Sequence, residues 1–130
     1  LWKELGASVI EMDAAHHDEV LAATSHLPHV LAYTLVDTLA ALSERQEIFA
    51  FAAGGFADFT RIASSDARLW RDIVLANRGP VLDMLDTYIE RLTEVRSAIA
   101  SDDHAAIDDV FGRAKAARDE FAADRKAISS

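Results

Sequence analysis

Ser25-His26-Leu27-Pro28-His29 opens the stretch whose reading decides the fold. Behind it, from Val30 to Leu42, the only charged residue is Asp37. A helix that apolar on all sides is a buried helix rather than a surface one. Pro28 interrupts the helical ladder just before it, because proline has no N–H and its ring presses on the carbonyl of Thr24. The pattern predicts a kinked, buried central helix with an imidazole on each side of the proline. Two titratable hydrogen-bonding groups at the mouth of a buried helix are the makings of a ligand pocket. A lone histidine at a helix break more often caps the helix or is satisfied in the core. Two of them flanking a proline carry more weight, since kinks gather at functional sites.

Working outward, Asp13 can cap a helix from about Ala14 to Leu27, with Asp18 and Glu19 in its early turns. After Leu42, Ser43-Glu44-Arg45-Gln46 reads as a capping box opening a short helix to about Ala53. Gly54-Gly55 is the only glycine pair; it reads as the end of that helix and as a place where backbone can approach a ligand closely. Phe56 to Ala63 suits one or two helical turns, and Ser64-Ser65-Asp66 caps a helix from Ala67 to Asn77. Arg78-Gly79-Pro80 stops it and starts the next. Leu82, Leu85, Tyr88, Ile89, Leu92, Val95 and Ile99 then keep the helical period over Val81 to Ala100. Ser101 and Asp102 are read as caps of a last helix with a stripe of Ile107, Val110, Phe111, Ala114, Ala117 and Phe121. The charged faces of that helix mix signs, as solvated faces do.

Residues 1–12 differ. Leu1-Trp2-Lys3-Glu4-Leu5-Gly6 looks like a last helical turn ending at a glycine, and Ser8-Val9-Ile10-Glu11-Met12 like a short strand. One strand cannot stabilise itself in water, so it pairs with another chain or belongs to a further domain.

Composition narrows the function classes. The chain has 130 residues, 51% of them hydrophobic, which suits one folded domain. With no cysteine there is no thiolate chemistry and no disulfide framework. The formal net charge of −9 argues against nucleic acid as a partner. No apolar run approaches the ~20 residues of a membrane span. No basic leader with a cleavage site is visible, so the expected location is cytoplasmic.

Two further clusters carry chemistry. Arg61 follows the glycine pair among Phe56 and Phe59, placed for planar recognition of a carboxylate; the alternative is a surface pair with Asp58. Trp70 stands between Arg68 and Arg71, either walling a pocket or filling the core. His16, His17, His26 and His29 lack the Glu-x-x-His repeats of a helical metal site, so no metal is expected. No Gly-x-Gly-x-x-Gly loop appears, so no dinucleotide site is expected in this chain.

In combination these motifs resemble a known family. His17-Asp18, Ser25-His26-Leu27-Pro28-His29, Val36-Asp37-Thr38-Leu39, Gly54-Gly55-Phe56, Asp58 to Ala63, Leu69-Trp70-Arg71-Asp72-Ile73 and Asn77-Arg78 follow one another as in the C-terminal half of the prephenate dehydrogenase family, arogenate dehydrogenases included. The resemblance covers essentially the whole chain. It implies an all-α dimerisation and substrate-binding domain over residues 13–130, with residues 1–12 as the tail of a missing N-terminal Rossmann domain. It implies a parent enzyme in tyrosine biosynthesis that oxidises and decarboxylates prephenate or arogenate with NAD or NADP. That nucleotide and the catalytic histidine belong to the missing domain, so the fragment alone would be inactive. It implies a homodimer and, as substrate-binding residues, Arg61 on a carboxylate, His29 with His26 close behind, and Gly54 and Trp70 lining the cleft. Two readings compete: a stand-alone helical dimerisation module, and a histidine metal bundle.

Overall fold

A computed structural model describes residues 13–129. Every element in that range is helical, as the sequence predicts. In order they are α1 (Ala14–Leu21), a π-helical turn (Ala22–His26), α2 (Leu27–Ala40), α3 (Arg45–Ala50), α4 (Gly54–Thr60), a 3₁₀ turn (Arg61–Ser64), α5 (Ala67–Ala76), α6 (Arg78–Ala100) and α7 (His104–Ser129). The strand and glycine cap read over residues 1–12, and the domain boundary drawn there, lie outside the described residues.

Local chemistry explains most of the boundaries. The Asp13 carboxylate accepts the backbone N–H of His16 at 2.8 Å and starts α1. Near Pro28 the chain stays in right-handed helical conformation at Leu21, His26 and Leu27. The hydrogen-bond register changes instead: the Leu27 N–H donates to the Ala22 carbonyl, five residues back. That shift delivers Pro28 into the first turn of α2, where a missing N–H leaves no broken bond. Single π turns of this kind gather at functional sites.

Three sequence readings need correction. Ser43 does not cap α3; Glu44 occupies the cap position without a side-chain bond. Backbone donors close that turn first, Leu42 N–H to the Leu39 carbonyl and Arg45 N–H to the Leu42 carbonyl, which leaves the serine outside the helix. Gly54 and Gly55 do not end a helix. They form the first turn of α4, neither has a positive φ, and no atom lies within 4 Å of a side chain built on either. The last helix is capped by Asp103, whose carboxylate accepts the Ala106 N–H at 3.1 Å, and not by Ser101 and Asp102. Asp102 instead sits at φ 57°, in the left-handed position that usually belongs to glycine after a helix. The Asp103 N–H reaches the Ala98 carbonyl at 2.9 Å and the Asp102 N–H the Ile99 carbonyl at 3.2 Å, which completes the terminal turn of α6.

The described residues fall into two units, one ending at Asp86 and the other beginning at Thr87. In the first, α2 lies against the π turn, the 3₁₀ turn, α3 and α4. Its buried apolar residues are Ala22, Leu27, Ala32 and Val81, so the interior is small. The apolar helix from Val30 is only half covered within one chain: Ala32 is buried, Leu31, Leu35 and Val36 are half-buried, and Thr34, Asp37 and Thr38 are exposed. In the second unit, Ile89, Leu92, Ile99, Phe111 and Phe121 of the predicted stripes stand exposed.

Candidate functional site

The site is built where the π turn meets α5. A π turn adds one residue per turn to the helix, and it ends at His26. The bend in register places His26 and His29 so that both rings meet Trp70. The His29 ring stacks on Trp70 with centroids 3.4 Å apart and planes 10° from parallel. His26 meets the same indole edge-on, 6.2 Å away at 72°. Asp66 fixes the start of α5 by accepting the N–H groups of Arg68 and Leu69, and so sets the rotation of the helix that carries Trp70. The Tyr33 hydroxyl, one turn beyond His29, donates to the Ser65 carbonyl at 2.8 Å and ties α2 to the entry of α5.

Beside the stack lies a cavity of about 310 Å³. Its walls include His29, Tyr33 and Thr34 of α2 and Trp70, Arg71 and Val74 of α5. Apolar walls with a few polar groups are the usual make-up of a small-molecule site. Arg71 supplies the positive charge. Its Nε donates to the Asp72 carboxylate at 2.9 Å, and that bond holds the guanidinium even more firmly in its charged form. Both side chains are mostly exposed, so the pair orients the arginine more than it stabilises the fold.

The two histidines differ. His26 is buried, with 8% of its surface exposed. Burial pushes its basicity below the ordinary imidazole value of 6.5; nearby His29 acts in the same direction and Asp18 opposes. Its Nδ1 lies 3.1 Å from Nδ2 of Asn77, which also donates to the Asp18 carbonyl at 2.8 Å. The half-buried His29 has its Nδ1 2.8 Å from the Ser25 carbonyl, one turn back.

Of the five residues singled out from the sequence, His26, His29 and Trp70 come together. Arg61 and Gly54 do not line the cavity. Arg61 is exposed at the start of the 3₁₀ turn, and the ion pairs among the described residues do not include one with Asp58. Sequence reasoning gave no role to Tyr33, and used Asn77 only as a helix end and as part of the Asn77-Arg78 motif. An asparagine at the end of a helix reads as a cap, and its partners here lie 51 and 59 residues away. No group of three metal-ligating side chains converges among the described residues. No helix among them is long and apolar enough to cross a membrane.

Comparison with known proteins follows the same outline. A family model described as the dimerization domain of prephenate dehydrogenase matches residues 13–113. The chain is 44% identical over 119 residues to cyclohexadienyl dehydrogenase of Zymomonas mobilis, a match covering 90% of this chain and 41% of that protein. It is 38% identical over 125 residues to prephenate dehydrogenase of Bacillus subtilis, covering 92% of this chain and 32% of that one. Among solved structures, prephenate dehydrogenase from A. aeolicus in complex with hydroxyphenyl propionate and NAD+ superposes with a TM-score of 0.82 at 36% identity, over 92% of this chain and 42% of that chain. The chain thus spans less than half the length of each of these relatives.

Proposed function

Because the chain belongs to the prephenate dehydrogenase dimerization-domain family, we propose that it is the C-terminal part of a prephenate or arogenate dehydrogenase, acting in tyrosine biosynthesis in the cytoplasm. The observation that carries this reading is the His29–Trp70 stack at the wall of an apolar cavity, inside the stretch that matches the family. The overall reaction is oxidative decarboxylation of prephenate to 4-hydroxyphenylpyruvate with NAD or NADP as oxidant. A dinucleotide is held where a strand runs through a glycine loop into a helix. Residues 13–129 are helices joined by turns and do not fit that role, so no step through the nucleotide is assigned to them.

What this chain contributes is binding and assembly. Prephenate is a dianion, and a chain of net charge −9 must hold it with placed cations rather than with a general field. Arg61 binds one carboxylate in a two-point geometry. Trp70 and His29 line the cavity described above, with His26 behind them. Arg61 and Gly54 lie off that cavity and are assigned to the substrate on the family resemblance alone. Aromatisation drives the loss of CO₂, so the chain mainly positions the ring. The half-covered face of α2 and the exposed stripes of α6 and α7 are closed by a second copy, giving a homodimer. Obligate interfaces of this sort bury upwards of ~2,000 Å².

Steady-state kinetics of the complete enzyme carrying Arg61→Ala test the assignment. The Michaelis constant for prephenate should rise roughly 10- to 100-fold, the worth of hydrogen bonds to a charged group, with that for the nucleotide unchanged. An unchanged constant for prephenate removes Arg61 from the site. Nucleotide reduction by the 130-residue chain alone, with prephenate, would overturn the reading of it as an inactive part.

A further inference from the structure

Asn77 closes α5, yet its side chain turns back to the π turn and α1 rather than to its own helix. The orientation of its amide follows from its partners. The group facing the Asp18 carbonyl at 2.8 Å must be the NH₂, because a carbonyl oxygen only accepts. The same Nδ2 carries a second hydrogen, and 3.1 Å away stands Nδ1 of His26. That nitrogen must therefore accept, and the proton of the neutral ring sits on Nε2. At His29 the logic runs the other way. Its Nδ1 faces the Ser25 carbonyl at 2.8 Å, so Nδ1 carries the proton and Nε2 of the neutral ring is an acceptor.

We propose that Asn77 is a positioning residue which, anchored on the Asp18 carbonyl, holds His26 in the neutral Nε2–H tautomer, opposite to that of His29. The histidine pair around Trp70 then carries one donor and one acceptor at its Nε2 atoms. Of the two rings only His29 lines the cavity, so the acceptor is the one offered to a ligand hydroxyl there. That last point rests on the substrate reading above; the tautomers do not. The charged or titratable groups facing His26 are Asp18 from α1 and His29 along its own helical run, while α5 presents the uncharged Trp70 and Asn77. A proton added at Nδ1 would face the Asn77 amide donor, which works in the same direction as burial.

Nitrogen-15 NMR of the whole chain, labelled at its five histidines, reads the tautomers directly. His26→Gln and His29→Gln identify the signals. The expected spectrum shows a bare Nδ1 and a protonated Nε2 for His26, and the reverse for His29. In Asn77→Asp the carboxylate accepts instead of donating. The His26 pattern should then invert, and its titration midpoint should rise by roughly 1 to 3 pH units. A protonated Nδ1 on His26 in the unaltered chain overturns the proposal. So does an Asn77→Asp variant, folded by circular dichroism, whose His26 nitrogens and midpoint do not move. If that variant does not fold, the spectrum of the unaltered chain decides alone. The measurement uses no ligand, so a failure to bind prephenate would count against the proposed function and leave the tautomer assignment standing.

Discussion

Residues 13–86 and residues 87–129 are both helical, but different forces hold them. In the first unit the decisive contacts join residues far apart in sequence: Asn77 with Asp18 and His26, Tyr33 with Ser65, His29 with Trp70. In the second, the ion pairs Arg91–Glu94 and Lys115–Asp119 and the placement of Arg118 over Phe121 all fall within about one helical turn. Local pairs of this kind contribute only ~0.2–0.5 kcal/mol each to a helix. A 26-residue helix whose large apolar side chains stand in water draws most of its stability from whatever packs on that face. The contrast teaches that the first unit is specified by its own long-range contacts, whereas the second leaves its large apolar side chains uncovered within one chain.

The largest effect should come from breaking the second unit's association. Ile89 and Leu92 are 57% and 54% exposed in a single chain. If a second copy covers them, replacing both by lysine forfeits about 3–6 kcal/mol of apolar burial. Sedimentation should show the dimer dissociating at least a hundredfold more readily. A double variant that sediments like the unaltered chain would place the partner elsewhere.

Trp70→Ala attacks the first unit. It removes the ring shared by His26 and His29 and should lower stability to urea by ~2–4 kcal/mol. Trp70→Phe keeps a stacking surface and should lose about half of that or less. Equal losses in the two variants would show that the stack contributes nothing beyond volume.

Acid should loosen the first unit before the second. The folded-state basicity of His26 is lowered, so the unfolded chain takes up a proton there first as pH falls through 6.5. The stability His26 contributes is complete above that value and declines below it, towards the folded midpoint. Thermal unfolding followed from about pH 8 to about pH 5 should show that decline, and His26→Gln should flatten part of it. An unchanged slope in the variant would move the effect to another group.

The smallest change is a gain. Asp102 holds a left-handed conformation that costs a residue with a Cβ more than glycine, and its contact with His104 at 3.3 Å is fully exposed to solvent competition. Asp102→Gly should stabilise the α6–α7 turn by ~0.5 kcal/mol. A loss on substitution would mean that the exposed pair outweighs the backbone strain.

The sequence by itself determined the helical class, the cap at Asp13, the cap at Asp66 and the singling out of His26, His29 and Trp70, because periodicity, capping chemistry and proline act over a few residues. Where local rules compete, it misled. Ser43 has the right spacing for a capping box, but backbone donors reached the carbonyls at the end of α2 first. The glycine pair has the composition of a helix stop, but Phe51 ends α3 and the glycines begin α4. Only the tertiary structure decided that Trp70 lies flat on one histidine and edge-on to the other, and that Arg71 rather than Arg61 lines the cavity. The tertiary contact at Asn77 and the bond to the Ser25 carbonyl are also what the proposed tautomers of the two imidazoles rest on. Those outcomes depend on the register set by the π turn and on an asparagine 51 residues from the ring it orients, and no short-range pattern encodes a distance of that kind.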